Sequence, residues 1–585
     1  MTAIVRFGTF TVDLRARELR AGETRIPLQD QPFQILQLLL ERPGELVTRA
    51  ELHERLWPNG TFVDFEHSVN AAIKRLRSAL GDRADRPMYV ETLYRRGYRF
   101  IAPVECESER VPAAARGRKP RLAVLPFENL NDAESKEYFS DGLASEMIAQ
   151  LGRVCGDRLG VLARTSGRSY KSLMAGRGEA GSLRPDYLLE GTLRYDNDRV
   201  RITAQLVDAA TETYLWADTY ERGLADCFSV QVDVATRIAH SLSLELLVEH
   251  PPSRMLSRHP DAYQAYLRGL FHWNLPADEG LVDARTSLDQ ALALDPDFGE
   301  AAAVLARVHV AAAEYYTHEP RVVFPLARAA AERAIALDPM ISDAHLALAD
   351  VCTAHDWNWD AADAAYQAAL RCNPSSEAAH RRYGLFLAAH GRTREADANS
   401  RRAYELDPLC LVVNTSVATV RYLARDYVDA VTRCRHTLDI APAFAPARRL
   451  LAASLAQLGR FVEAFDLFAA VGEERLDPVS LAWLAHAHAL AGDAQASDRA
   501  LSRLTALART RCVSPYHLAV TYSGRGDVDE ACSKLARACE ERDPALVHVA
   551  VEPRFDPLRH DRRYQALITR LRLNHVPAAQ AAQFA

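Results

Sequence analysis

Ala362, Ala396, Ala430 and Ala464 stand 34 residues apart, and Ser497 and Ala531 continue the column at spacings of 33 and 34. A second column shares this period: Asn373-Pro374, Asp407-Pro408 and Ala441-Pro442 each close an apolar run, preceded by Asp295-Pro296 and Asp338-Pro339. Gly391-Arg392, Gly459-Arg460, Gly492-Asp493 and Gly526-Asp527 mark turns between them. Two independent columns with one period specify stacked helix-turn-helix units, each burying its apolar face only against its neighbours. The small residue recurs where paired helices approach most closely. Residues 260–575 are therefore expected to form an all-α solenoid.

The first 104 residues follow a different pattern. Phe7 to Leu14 alternates as a strand, with Glu23–Leu28 as its expected partner. Gln31–Glu41 is apolar at helical spacing and stops at Pro43-Gly44. Thr48, with Glu51 three residues on, predicts a capping box opening a second helix that runs to Trp57. A third helix is expected from about His67 to Leu80, closed by Gly81. Tyr89–Ile101 reads as two short strands around a turn containing Gly97.

Wound at about 100° per residue, Val69, Ile73, Leu76 and Leu80 make one apolar stripe. Asn70, Ala71, Lys74, Arg75 and Ser78 then face outward, with Arg77 on the flank. Small residues let such a helix sit close in a major groove, and cations meet phosphates or guanine edges. Charge is distributed accordingly. Lys74–Arg99 carries eight basic and three acidic residues, whereas residues 1–73 carry eight basic and ten acidic. The whole-chain net charge of −6 hides this polarity, which is the footprint of a nucleic-acid face.

Residues 5–104 resemble the OmpR/PhoB-type winged-helix domain in the CadC/ToxR-like arrangement. The residues carrying the likeness are Phe7-Gly8-x-Phe10, Asp13…Arg17-x-Leu19, Pro43-Gly44 and Leu52…Leu56-Trp57-Pro58. Val69-x3-Ile73-x-Arg75-Leu76-Arg77-x2-Leu80 and Glu91-Thr92…Arg96-Gly97-Tyr98-Arg99-Phe100 complete it. The resemblance implies a recognition helix over 69–80 and a wing over 92–100 on the adjacent backbone or minor groove. The DNA-contacting residues it points to, together with the helix face, are Asn70, Lys74, Arg75, Arg77, Ser78, Arg95, Arg96 and Tyr98. Tyr94 stands where many relatives place a minor-groove arginine, leaving that contact to Arg95 or Arg96. The loop Pro58–Glu66 matches a segment that some members use to touch RNA polymerase. Related domains bind direct repeats as tandem protomers, which implies a dimer on DNA. Neither a preceding receiver domain nor a membrane helix at 105–120 is expected.

Residues 105–120 lack apolar periodicity and read as a linker. Residues 121–250 alternate strand and helix signals: a buried strand at Arg121–Phe127, a helix at Glu137–Val154 and a strand at Leu159–Ala163. A hairpin of Asp186–Tyr195 with Arg199–Asp208, a strand at Thr213–Tyr220 and a closing helix at Phe228–Leu247 follow. Ala123-Val124-Leu125-Pro126-Phe127, Tyr138-Phe139-Ser140-Asp141-Gly142 and Leu189-Glu190-Gly191-Thr192 give this region a likeness to the TolB-N-terminal-like α/β domain. The repeats resemble the tetratricopeptide (TPR) family, which implies a protein or peptide partner, with Phe555–Tyr564 as the capping end.

The expected fold class is multidomain and mostly α: an α+β winged helix-turn-helix, a small α/β domain and an all-α TPR solenoid. Ten cysteines show no CxxC spacing, so no metal site is expected and a reducing, cytoplasmic setting follows. No signal peptide or membrane span is expected. Gly176–Gly181 matches GxGxxG outside any strand–turn–helix context and is read as a turn. Asp141 and Glu146 are read as charges at a helix start rather than paired carboxylates. No catalytic residue and no cofactor are expected. The leading reading is a sequence-specific DNA-binding transcriptional regulator, and the alternative is a TPR scaffold whose winged helix does not bind DNA.

Overall fold

Gly8 divides the first apolar run in two. Its φ of +54° turns the backbone sharply, and a Cβ there would lie 2.5 Å from the Tyr89 hydroxyl. The expected single strand Phe7–Leu14 is therefore a hairpin of β1 (Ile4–Phe7) and β2 (Phe10–Asp13), with Phe7 opposite Phe10. Glu23–Leu28 does not pair with it. Its core, β4 (Thr24–Ile26), pairs with β3 (Glu18–Ala21), which itself pairs with β2.

The computed structural model describes residues 4–13, 18–21, 24–41, 44, 46–48, 51–52, 65–83, 85, 87–93, 96–102, 105–107, 119–130, 137–155, 158–164, 185–196, 199–223, 233–234, 237, 259–275, 277–509 and 512–574. The chain divides into two units, Met1–Arg118 and Lys119–Ala585.

In the first unit, α1 (Asp30–Glu41) and α2 (Phe65–Leu80) bury one face each. Ile35, Leu36, Leu39, Val69, Ile73, Leu76 and Leu80 share one core with Phe7, Tyr89 and Phe100. β5 (Leu46–Thr48), β6 (Val90–Leu93) and β7 (Gly97–Phe100) form a small sheet in the order β5-β7-β6. Gly97 begins β7 rather than filling the turn. A Cβ on it would fall 2.0 Å from the Val47 carbonyl oxygen, so glycine is what lets β7 reach β5. Thr48 and Glu51 make the expected capping box: the Thr48 amide donates to the Glu51 carboxylate at 2.8 Å, and the Glu51 amide donates back to Thr48 Oγ1 at 3.3 Å. The expected course of that helix through Trp57 lies outside the described residues.

The linker expected from residue 105 starts later. Glu105–Glu107 is a strand, β8, paired antiparallel with β1. Its backbone completes a five-stranded ladder, and backbone pairing needs no apolar periodicity.

In the second unit, β9 (Arg121–Val124) lies parallel between β11 (Gly160–Leu162) and β12 (Tyr187–Asp196). β12, β13 (Arg199–Asp208) and β14 (Thr213–Gly223) continue antiparallel, and β10 (Glu128–Asn129) adds to β12. Val200, Ile202, Ala204 and Leu206 are fully buried, as the alternation of β13 predicts. The expected helix Phe228–Leu247 and the turn Gly176–Gly181 lie largely or wholly outside the described residues.

Eight helix pairs follow among the described residues, from α4 (Pro260–Trp273) with Ala277–Leu294 to Pro515–Gly524 with Val528–Glu541. Ala362, Ala396, Ala430, Ala464, Ser497 and Ala531 are each fully buried between paired helices. Asn373 and Ala441, each before a proline, leave the helix in extended conformation, since proline crowds the residue ahead of it. Gly391, Gly459, Gly492 and Gly526 close helices at positive φ.

The α/β region and the array share one core. Leu122, Phe139, Leu143 and Met147 join Tyr263, Tyr266, Leu267 and Phe298 in a single apolar cluster. Where the sequence suggests two bodies, 121–250 and 260–575, α3 (Glu137–Cys155) packs on α4 with Gly142 against Leu267. Glu146, expected as a charge at the helix start, is a buried mid-helix carboxyl that accepts a hydrogen bond from Tyr266. Phe555–Tyr564 does more than cap the last pair. The segment carrying it runs back along the array: Tyr422 donates to Glu552 at 2.9 Å, Arg425 pairs with Asp556 at 2.7 Å, and Trp359 donates to the Leu571 carbonyl at 2.8 Å.

Candidate nucleic-acid interface

The outward face of α2 is as its periodicity predicts. Val69, Ile73, Leu76 and Leu80 are at most 2% exposed, while Asn70, Lys74, Arg75 and Ser78 are exposed and Arg77 is half-buried on the flank. Spacing of four places Asn70, Lys74 and Ser78 in one row along the helix. Lys74 makes no hydrogen bond or ion pair among the described residues and is a free cation. Arg75 reaches sideways, its Nη1 donating to Gln29 Oε1 at 2.7 Å just ahead of α1. Pairing with a neutral amide leaves its charge available.

Two candidate residues hold the wing rather than project from it. Arg77 Nη2 donates to the Val90 carbonyl at 2.6 Å and to Thr92 Oγ1 at 2.8 Å, both on β6. Tyr98 is 3% exposed in β7, and its hydroxyl donates to Asn70 Oδ1 at 2.8 Å. The ring anchors the wing sheet in the core while its hydroxyl orients the amide of α2. Arg96 is exposed in the turn between β6 and β7, and its amide closes that turn on the Leu93 carbonyl at 2.9 Å. Arg95 and most of the loop Pro58–Glu66 lie outside the described residues.

Sequence reasoning missed Asp82, counting it only as a negative charge. It is 8% exposed, and its carboxylate accepts from the amides of Met88 at 2.7 Å and Val90 at 2.8 Å. It thus fixes the strand entering the wing. An Asp directly after a helix-ending glycine, followed by a polar loop, is the signal that could have identified it. Ion pairing also sorts the basic residues. Arg99 is bound to Glu91 across the hairpin at 2.6 Å, and Arg83 to Asp85 at 3.1 Å. Among the described residues of this segment, the positive charge left to face a phosphate backbone comes from Lys74, Arg75 and Arg96, with Arg77 behind them.

Among the described residues, no helix is long and apolar enough to cross a membrane.

Residues 22–100 match the family model described as "Transcriptional regulatory protein, C terminal". Residues 118–237 match "HilA/YgeH-like transcriptional regulator, second domain", where a TolB-N-terminal-like domain is expected over 121–250. The chain is 29% identical over 195 residues to the "Transcriptional regulator HilA" of Salmonella typhimurium, covering 33% of each protein. It is 32% identical over 273 residues to a "Putative adenylate cyclase 3" of Rhizobium meliloti, covering 46% of this chain and 43% of that one. The chain thus spans less than half the length of these relatives. Among solved structures, the RstA DNA-binding domain of Klebsiella pneumoniae, in complex with the RstA box, is 31% identical, covering 17% of this chain and 96% of that domain with a TM-score of 0.16. With the helix order, the apolar stripe of α2 and the β5-β7-β6 sheet already in place, the N-terminal unit is a winged-helix domain of the OmpR/PhoB type, followed in the same chain by a region that matches the HilA/YgeH-like second domain and by a TPR-like array of helix pairs.

Proposed function

We propose that this protein is a sequence-specific, DNA-binding transcriptional regulator. The observation that carries the reading is the exposed row Asn70, Lys74 and Ser78 with Arg75 beside it, on a helix whose flank is tied to a wing by Arg77. In this reading α2 enters the major groove, with Arg75 and Asn70 reaching base edges and Lys74 a phosphate. Arg96, with Arg95 beside it in the sequence, meets the adjacent backbone or minor groove. Tyr98 and Arg77 position rather than read.

The protein acts in the cytoplasm as a dimer on direct repeats, with the loop 58–66 as its contact to RNA polymerase. The array takes a protein or peptide partner, and the chain itself catalyses no reaction. The test is selection of bound genomic fragments by the full-length protein at two salt concentrations. The expected result is a repeated motif whose enrichment falls with salt and with Arg75→Ala. Absence of any enriched motif, from full-length protein and from the unit Met1–Arg118 alike, would overturn the reading in favour of a scaffold.

A further inference from the structure

A cavity of about 820 Å³ lies within the second unit, walled by helices of the array and by the returning C-terminal segment at Pro544–His548. That volume falls in the range of about 300–1,000 Å³ usual for small-molecule sites. Leu385, Val412 and Val479 give part of the wall an apolar surface, and three arginines face the cavity with them.

The arginines are not equivalent. Arg382 is bonded to Glu314 and lies 3.7 Å from Asp350, and Arg449 is paired with Asp477 at 3.0 Å. Each lining carboxylate is thereby matched to a cation. Among the described residues Arg381 makes no hydrogen bond and no ion pair, and the nearest opposing charge on its own helix is Glu377, one turn back. Burial, aided by the neighbouring Arg382 guanidinium, holds its pKa below the ordinary arginine value. With no carboxylate hydrogen-bonded to it, its five N–H donors are available to an incoming anion.

A second observation points to the same space. His517 lines the cavity at 9% exposure, and its Nδ1 is buried without a hydrogen-bond partner. Burial keeps the imidazole neutral, lowering its pKa to about 3, so it offers a polar atom and no charge. His548 Nδ1, on the same wall, is likewise buried without a partner. Native proteins rarely leave such groups unanswered.

We infer that this cavity binds a small organic anion, its carboxylate or phosphate on Arg381, its apolar part against Leu385, Val412 and Val479, and a polar substituent on His517. Because Pro544–His548 forms part of the wall, occupancy also fixes the seat of the C-terminal segment. The inference stands on the second unit alone and is independent of DNA binding.

The test uses the full-length chain in calorimetric titration and thermal unfolding, with benzoate, phenyl phosphate, inorganic phosphate and the neutral benzamide as probes. Saturable binding of benzoate or phenyl phosphate at millimolar concentration is expected, with none for benzamide. Stronger binding of phenyl phosphate than benzoate would identify a phosphorylated ligand, and the reverse a carboxylate. Binding of inorganic phosphate alone would overturn the apolar half of the site. Arg381→Gln should weaken the anion about tenfold or more, while Arg401→Gln, on an exposed helix face, leaves it unchanged. Val412→Trp, which fills the cavity without removing a charge, should abolish binding and carries the test if Arg381→Gln does not fold. No saturable binding of either organic anion, or binding that survives both variants, would overturn the assignment.

Discussion

Arg77 on the flank of α2 and Val90 at the start of β6 are joined by a 2.6 Å hydrogen bond from the guanidinium to the backbone carbonyl. The same nitrogen also holds Thr92, so one side chain ties the helix to two points of β6. Arg77→Ala should therefore weaken binding to every DNA sequence and also lower the unfolding midpoint of the N-terminal domain. Arg77→Lys should not restore either, because the lysine ammonium ends one bond short of where Nη2 stands. Full affinity in Arg77→Lys would show that only charge matters here.

Arg75 is expected to behave differently. Its loss should cost about 1–3 kcal/mol of specific binding and relax preference at one base position, leaving the fold intact. Lys74→Ala should weaken all sequences alike and reduce the slope of log affinity against log salt by about one. Quantitative binding to an operator and to a single-base variant, across a salt series, separates the two. Equal losses on both DNAs for Arg75→Ala would remove it from base readout.

Asp82 should matter more to stability than its surface-like sequence context suggests. Asp82→Ala would strand the buried amides of Val90 and Tyr89 and the Met88 amide beside them. At about 1–3 kcal/mol per unanswered buried donor, a loss of several kcal/mol is expected. Denaturant unfolding of the N-terminal domain measures it, and a loss below about 1 kcal/mol would contradict the capping role.

The joint between the α/β region and the array should be sensitive to pH. Burial pushes the Glu146 carboxyl up to about 7 against the opposing hydrogen bond from Tyr266, and Glu300 nearby is raised to about 8 by burial and by Glu146. The unfolded chain releases these protons near 4.5 while the folded chain retains them, so stability is complete below 4.5 and falls as pH rises through 7 and 8. Glu146→Gln keeps an acceptor for Tyr266 but cannot ionise. It should match the parent at pH 5 and exceed it at pH 8 by on the order of 2–3 kcal/mol. Parallel pH profiles in urea unfolding would rule this out.

Gly459 closes a helix at φ +72° with open space where a Cβ would project. Gly459→Ala should then cost only the backbone term, about 1 kcal/mol. Ala464→Leu in the same repeat should cost about 1–3 kcal/mol through overpacking. The repeat tolerates exceptions at the glycine slot. Trp357 and Arg425, 34 residues either side of Gly391, hold positive φ without being glycine. Each is engaged by the returning segment, Trp357 beneath the Arg542 guanidinium at 4.0 Å and Arg425 by Asp556.

The elements read correctly from sequence are those whose evidence is local and periodic. The 3.6-residue stripe of α2, the alternation of β13 and the 34-residue alanine column report burial directly, because one face of each must leave water. The capping box at Thr48 and Glu51 is equally local, since its partners lie three residues apart. Tertiary structure decided what depends on distant backbone or on side-chain geometry. Gly8 made two strands of one apolar run because Tyr89, far along the chain, fills the space beside it. Glu105–Glu107 became a strand because β1 offered an open edge, and a ladder is satisfied by any backbone. Tyr98 and Arg77 make hydrogen bonds to Asn70 and to Val90 that the sequence could not announce, because those partners come within reach only in the fold. Arg381 drew no notice in the sequence, since a guanidinium left without a hydrogen-bonded partner in a cavity wall is visible only when every neighbour has its place.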